Sequence, residues 1–469
     1  MSDTILPKAP PPTELTSAKA GDKALAGVAG DQAESLAGKA NLAGVDHGSF
    51  TKAQNDFAAG NTAGDHLPAL ALPYALDKNL LAAHDNLGAA VDSAISDPQT
   101  RQQFHASMDS FEKRAEAGGL TAAQVESTYD QMGRMLQAAP GSPLNHSQRL
   151  EAATQWMAHL ADPQGTTRQG WHDTCGWTSL EVRLLTMDPD KITGKMAELV
   201  TTGGVTTVDV NKAMAMAQDN QTPDALPTKQ LKIDPSSLQP DEEAQGVLHH
   251  SDDRSYVDQL AQVMLDNIKW DATPFAPDGT RLGSGTMSYG QCSVISRPSD
   301  GTPAGTGADA SCESVSWVDP KTGQKVIDNA NGYGEGGAAS PGEVSYVNAI
   351  ITGNSNPIEL VRTDNGPKEE ANSILGVGSV DELKSKIQSL HDSNQLPMGA
   401  MVEVDHPGIM EDYLARHPEK TAADVPKNSW HLILVTGMDD KGNVQIYNPW
   451  GLKRTLTAEQ LYAAMSYPK

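Results

Sequence analysis

The spacing of apolar and polar positions divides the chain into a helical front and a strand-rich back. Apolar residues recur at helical period over Asp97 to Ala117, Thr121 to Ala138 and His146 to Leu160 (HSQRLEAATQWMAHL), which predicts three amphipathic helices. The same period returns at Thr178 to Met187, Asp190 to Val200 and Ser255 to Ile268, whereas Pro223 to Gly246 reads as loop. From Thr286 the pattern changes. TMSYGQCSVIS, CESVSWVDP, QKVIDNANGYG and PIELVRT are short, β-branched and set apart by Gly and Pro, as strands are. Ser379 with Glu382 predicts a capping box opening another helix, and apolar alternation predicts strands at Gly399 to Val404, Trp430 to Thr436 and Asn443 to Tyr447. A turn at Asp439 to Gly442 joins the last two as a hairpin, and a final helix starts at Thr457. No internal repeat is visible. The order predicts an α+β fold, helices first and then a mostly antiparallel sheet.

Composition alters this picture at the amino end. Met1 to about Pro68 is rich in Ala, Gly, Asp, Lys, Ser and Pro and poor in aromatics, so it buries too little apolar area to offset chain entropy and is expected to be disordered. Residues 69–162 then read as a helical module, ending at the Asp-Pro-Gln-Gly loop of Asp162 to Gly165, and 163–469 as a further domain. Lys plus Arg number 35 against 60 Asp plus Glu, a net charge of -25 that repels nucleic acid and anionic membranes. The expected partner is a protein or peptide, with no nucleic acid and no membrane. No run is long and apolar enough to span a bilayer, and MSDTILPKAPPPTEL lacks the basic start and apolar core of a secretory signal. A soluble protein is expected, cytoplasmic or exported by a leaderless route.

Three cysteines, Cys175, Cys292 and Cys312, are too few and too scattered for a disulfide scaffold or a zinc site with paired thiolates. Cys292 and Cys312 would pair only if a hairpin joined them; two reduced, buried thiols is the simpler reading. No metal or cofactor is expected. The cluster His249, His250, Asp252 and Asp253 reads as an exposed polar stretch. NANGYGEGG at Asn329 to Gly337 lacks the lysine and following helix of a P-loop and reads as a surface loop.

Chemistry concentrates at QGWHDTCGW, Gln169 to Trp177. A thiol becomes a nucleophile by losing its proton, and a helix amino terminus favours the anion. Cys175 stands at a predicted helix start, with Thr174 or Asp173 as the cap. Backbone N–H groups there lack helical partners and can receive an oxyanion, and the Gln169 amide is a further donor. His431, heading the apolar strand HLILVTG, supplies a base. Asn448 follows the next strand, so the hairpin brings it to the imidazole it would orient, and Trp450 would cover that hydrogen bond. His406, in VDHPG, is the rival base but leaves its strand beside a proline. His172 reads as lining the cleft entrance or facing solvent. Four of the 7 tryptophans, at 171, 177, 430 and 450, flank these motifs, which suggests a shared cleft lined by Trp171, Trp177 and Trp450.

Gln169-Gly170 ahead of Cys175, a distant His431 heading a strand, and Asn448 with a tryptophan two places on resemble the papain-like cysteine peptidases. HLILVTGMDDKGNVQIYNPWG is similar to the calpain branch in its Asn-Pro-Trp-Gly motif. Two blocks of about thirty residues together carry the likeness. It implies Cys175 as nucleophile, His431 as general base and acid, Asn448 as orienter, and Gln169 with the Cys175 N–H as oxyanion hole. It also implies, over 163–469, a papain-like two-lobed fold with Cys175 on a helical lobe and His431 and Asn448 on an antiparallel β lobe. The activity implied is hydrolysis of peptide or isopeptide bonds through a thioester; a glutamine deamidase or transglutaminase uses the same triad. A non-catalytic interaction protein on that fold is the competing class. Two departures stand out. In the family a tryptophan follows the cysteine directly, whereas here Gly176 intervenes, and no calcium-site sequence is present, so calcium activation is not carried over. The Ala/Gly-rich start suggests an exported bacterial effector or toxin, with residues 69–162 a pro-region, chaperone site or targeting unit.

Overall fold

The computed structural model describes residues 74, 77–137, 139–170, 172–209, 212, 227–246, 253–271, 286–291, 313–318, 325–327, 338–354, 356–364, 374–418, 420–427 and 429–465. The expectations for residues 1–68, Trp171, the His249/His250/Asp252 stretch, Cys292, Cys312 and the loop at 329–337 fall outside them.

Helices open the described chain, and their caps show why they start where they do. Helix α1 (Lys78–Ala94) begins at Asp77, whose carboxylate accepts from the Asn79 and Leu80 N–H groups, and it buries Leu80, Ala83, Leu87 and Val91 along one stripe. In α2 (Pro98–Ala117) Asp97 caps and proline fills the first turn. Complete capping boxes start α3 (Ala122–Leu136), from Thr121 and Gln124, and α4 (His146–Ala161), from Asn145 and Gln148. Next come α5 (Cys175–Met187) and α6 (Pro189–Thr202), which ends on Gly203 at φ 73.

The stretch read as loop before Gly246 holds structure. Strand β1 (Gly204–Val208) pairs antiparallel with β2 (Thr228–Lys232), and a 3-10 turn follows at Pro235–Leu238. In β2 only Leu231 is buried, so TKQLK carries almost no apolar alternation to detect. Helix α7 (Tyr256–Asp271) is buried at every position and packs against α4 and α5. The strands β3 (Thr286–Gln291), β4 (Glu313–Val318) and β5 (Lys325–Ile327) form an antiparallel sheet of their own.

After α8 (Pro341–Thr352) come β6 (Glu359–Arg362), β7 (Ile374–Val377), α9 (Val380–Asp392), β8 (Met398–Glu403) and α10 (Pro407–Arg416). Then follow β9 (Trp430–Met438), β10 (Asn443–Asn448), β11 (Leu452–Thr457) and α11 (Ala458–Ala464). Six of these strands make one sheet in the order β11-β10-β9-β8-β6-β7. The fold is therefore mixed α+β, but this sheet is mixed rather than mostly antiparallel. Strand β6 runs parallel to both β7 and β8, because the chain crosses from β7 through α9 to β8 on the far side of β6. The hairpin of β9 and β10 is antiparallel, with a register shift at Gln445/Ile446.

One contiguous apolar cluster runs from Tyr74 to Met465. Residues before and after the boundary expected at 162 contribute to it. Fully buried Trp156 of α4 donates its indole N–H to Thr193 Oγ1 of α6 at 2.9 Å, and the Arg114 guanidinium donates to the carbonyls of Leu160 and Leu185 at 2.8 and 2.9 Å. Among the described residues no helix is long and apolar enough to cross a membrane.

Candidate active site

Helix α5 presents Cys175 at its first position, with Thr174 as N-cap but without a side-chain cap bond. The thiol is half-buried and free. Backbone N–H groups of Leu432, Gly176 and Cys175 itself approach the sulfur and favour its anion, whereas burial above all, with help from Asp173, pushes the thiol up to about 11. Helix α5 lies directly on β9, where Ser179 Oγ donates to the Leu432 carbonyl at 3.1 Å. The nucleophile candidate and the histidine strand are thus immediate neighbours.

On that strand His431 is buried, and its Nε2 meets Asn448 Oδ1 at 2.7 Å across the hairpin. Asn448 is held in turn: its Nδ2 donates to Asp412 Oδ2 at 2.9 Å, and Asp412 Oδ1 forms an ion pair with Arg454 Nε at 2.5 Å. This chain settles the tautomer. Because the Asn448 amide gives its N–H to a carboxylate, it turns its oxygen to His431, so Nε2 carries the hydrogen and Nδ1 keeps a lone pair. Burial first, then the Arg416 cation, lowers His431 to about 4 against the opposing pull of the Asn448 bond. The imidazole is neutral at pH 7. No hydrogen bond joins it to Cys175 among the described residues, and the thiol and the imidazole are both uncharged at neutral pH.

Trp450 stacks on the His431 ring with centroids 4.0 Å apart and planes inclined by 20°. Its backbone N–H donates to Asn448 Oδ1 at 3.2 Å, so residue 450 covers the hydrogen bond as the sequence led us to expect. The Asn-Pro-Trp-Gly turn needs its glycine: Gly451 has φ 86, and a Cβ there would collide with the Arg168 side chain.

The two motif blocks meet in space. The Gln169 N–H donates to the Pro449 carbonyl at 2.9 Å, and Tyr447 Oη donates to the Thr167 carbonyl at 2.7 Å. From α7, the Gln262 amide bonds the Arg168 carbonyl at 2.9 Å and Thr178 Oγ1 at 3.2 Å, fixing the loop to the helix it feeds. Gln169 itself is buried, and its Nε2 donates to the His172 carbonyl at 2.5 Å.

Other expectations need correction. Trp177 is fully buried in the core and lines no cleft. Displacement by one residue turns a helical side chain by about 100°, from the thiol's face to the inner one. Gly176 takes the vacated place because α8 comes close: a Cβ there would lie 3.1 Å from Ala339 Cβ and Val344 Cγ2. His172 neither faces solvent nor edges a cleft; it is buried, with Nε2 at 3.3 Å from Asp241 Oδ2, in a network completed by Arg254 and Glu243. His406 caps α10, accepting the Gly408 N–H at 3.4 Å. Sequence reasoning missed Asp412, Arg416 and Gln262. Asp412 and Arg416 sit four apart on a polar helix and look like a solvated pair, yet Asp412 is fully buried. Arg416 donates to the Gly170 carbonyl.

Compared with known proteins, the chain matches no family model, no curated protein and no solved structure.

Proposed function

We propose that this protein is a thiol acyl-transfer enzyme, a cysteine peptidase of papain-like type acting on peptide or isopeptide bonds, with Cys175, His431 and Asn448 as its triad. The observation that carries the reading is the His431–Asn448 bond of 2.7 Å under the Trp450 ring, on the strand against which Cys175 is packed. A satisfied core histidine would not need its second nitrogen left as a base beside a helix-terminal thiol. The buried helix face carrying Cys175 and the sheet carrying His431 and Asn448 are read as the two lobes.

The pair is uncharged at rest, so catalysis starts with proton transfer. His431 Nδ1 takes the thiol proton as Sγ attacks the carbonyl carbon, and the C–S bond forms. The oxyanion is received by the Cys175 N–H and by the Gln169 amide, whose Nε2 has two hydrogens and spends one on the His172 carbonyl. The imidazolium then protonates the departing amine, leaving a thioester. Water, deprotonated by His431, attacks it, releases the carboxylic acid and restores the thiol. Asn448 holds the ring in register throughout, and Asp412 holds Asn448. Ammonia release from a glutamine side chain, or an amine in place of water, uses the same steps.

The test is turnover by the full chain on quenched-fluorescence peptide and isopeptide libraries, with ammonia release and amine incorporation assayed in parallel and Cys175→Ala as control. Bond cleavage lost in Cys175→Ala supports the peptidase; ammonia or amine products alone would move the assignment to deamidation or transamidation. No product in any arm, with Cys175→Ala behaving like wild type, would overturn it.

A further inference from the structure

Two triads of one histidine and two carboxylates are buried in the described molecule: His172, Asp241 and Glu243, and His159, Glu181 and Asp258. The first already holds a cation. The Arg254 guanidinium pairs with Asp241 Oδ2, and its Nε lies 3.3 Å from Glu243 Oε2. The second has no such occupant. None of its members forms an ion pair with a lysine or arginine among the described residues, although two carboxylates there share a dry interior. Glu181 and Asp258 are fully buried and His159 is 2% exposed.

We propose that His159, Glu181 and Asp258 form a closed structural site for one divalent transition-metal ion of the zinc class. His159 Nδ1 lies 3.5 Å from Glu181 Oε1 and 3.6 Å from Asp258 Oδ1, and the ligand atoms all lie within 4.8 Å of one another. Those separations are too long for hydrogen bonds, and His159 Nδ1 and both Glu181 oxygens have no hydrogen-bond partner. The two separations from His159 match the edge of a tetrahedron: with metal–ligand bonds of about 2.0–2.2 Å, its edges are roughly 3.3–3.6 Å. The second Glu181 oxygen, equally unpartnered, lets that carboxylate bind through both oxygens, which distorts the tetrahedron because its bite is shorter than an edge.

Neighbouring groups orient the ligands as a metal requires. His159 Nε2 stands 3.4 Å from Ser255 Oγ, which leaves Nδ1 to bear the lone pair. Ser255 donates to Asp258 Oδ2 through both its N–H and its hydroxyl at 2.8 Å, so Oδ1 is the oxygen turned toward the cluster. Oδ1 also receives the Arg168 N–H at 3.3 Å. Glu181 and Asp258 bring two carboxylates together in a fully buried place, a concentration of negative charge that a bound dication would offset. An imidazole with two carboxylates suits zinc or manganese, and a site without solvent access is structural rather than catalytic. It would fasten α4 and α7 to α5, the helix whose first residue is Cys175. The inference stands whether or not that thiol is catalytic.

The test uses the full chain purified without chelator. Elemental analysis is expected to find stoichiometric zinc or manganese, removed by dipicolinate, with a Tm that falls on removal and recovers on adding Zn²⁺. Co²⁺ put into the stripped protein should give the visible bands of a tetrahedral nitrogen–oxygen site without thiolate charge transfer. Glu181→Gln should lose the ion and the Co²⁺ spectrum. A metal-free protein whose Tm ignores Zn²⁺, Mn²⁺ and chelator, or metal retained equally by Glu181→Gln, would overturn the proposal. So would a Glu181→Gln variant more stable than the wild type at every zinc concentration, since the triad would then be an acid pair sharing a proton.

Discussion

At the scale of single residues, the site is a relay that runs from Arg454 through Asp412 and Asn448 to His431, each link fixing the orientation of the next. Removing Asp412 frees the Asn448 amide to rotate and present its N–H to the imidazole, which then takes the wrong tautomer. Asp412→Ala is therefore expected to lower kcat by roughly 10–100-fold, the scale of losing an outer partner of a functional side chain, with KM little changed. Steady-state kinetics checks it; an equal loss of thermal stability and of active-enzyme titre would instead mark a packing role. The end members of the relay were legible in the sequence because Asn448 and His431 sit on one hairpin. Asp412 was not, because its burial depends on how α10 folds back over Trp450, and nothing local encodes that.

At the scale of elements, most helices announced themselves through caps and period, and their ends match to within a few residues. Helix α1 went unseen as a separate element because its Ala- and Asp-rich sequence continues the composition before it, although Leu80, Ala83, Leu87 and Val91 already carry the stripe. Strand β7 was missed because a short strand is defined by its sheet partners, and β11 because LKRTLT buries only Leu456; helices α8 and α10 were also missed, although Ser340 and Glu343 form a capping box at the start of α8. The helices before Ala161 bear on function through packing. They pack on α5 and α6 and bury Trp156, whose truncation to alanine alone is expected to cost about 3–5 kcal/mol. A chain beginning near Ala161 is accordingly expected to be unfolded or aggregated, not activated. Size-exclusion chromatography and thermal scans decide this: a monodisperse, cooperatively melting fragment with full activity would show that the front helices are a detachable module.

At the scale of the whole molecule, acidic groups buried without partners make stability depend on pH. Glu359 on β6 is fully buried, neither of its oxygens has a hydrogen-bond partner, and burial raises it to about 8. In the unfolded chain it ionises at its ordinary value of 4.5. Between those values the folded state holds a proton that the unfolded chain has lost, so this group's contribution falls by about 1.4 kcal/mol per pH unit as pH rises through the window. Glu359→Gln removes the effect. The variant is expected to gain stability over wild type at pH 8 and to lose that gain by pH 5, as urea unfolding at the two values would show; an offset independent of pH would contradict the assignment. His431, lowered to about 4, has the opposite slope: its contribution is complete above the ordinary histidine value of 6.5 and is lost as pH falls through 4.

The states of the Cys175 thiol and the His431 imidazole make the central claim measurable. A thiol pushed up to about 11 beside an imidazole lowered to about 4 should react through proton transfer to His431, not as a free thiolate. The direct measurement is the rate of Cys175 alkylation by iodoacetamide across pH 3 to 10, read by mass spectrometry in wild type and His431→Ala. The account predicts a wild-type rate that rises near pH 4, stays level through neutrality, and collapses in His431→Ala. A rate that climbs tenfold per pH unit through neutrality and is the same in both proteins would mean that Cys175 is an ordinary thiol and His431 is not its base.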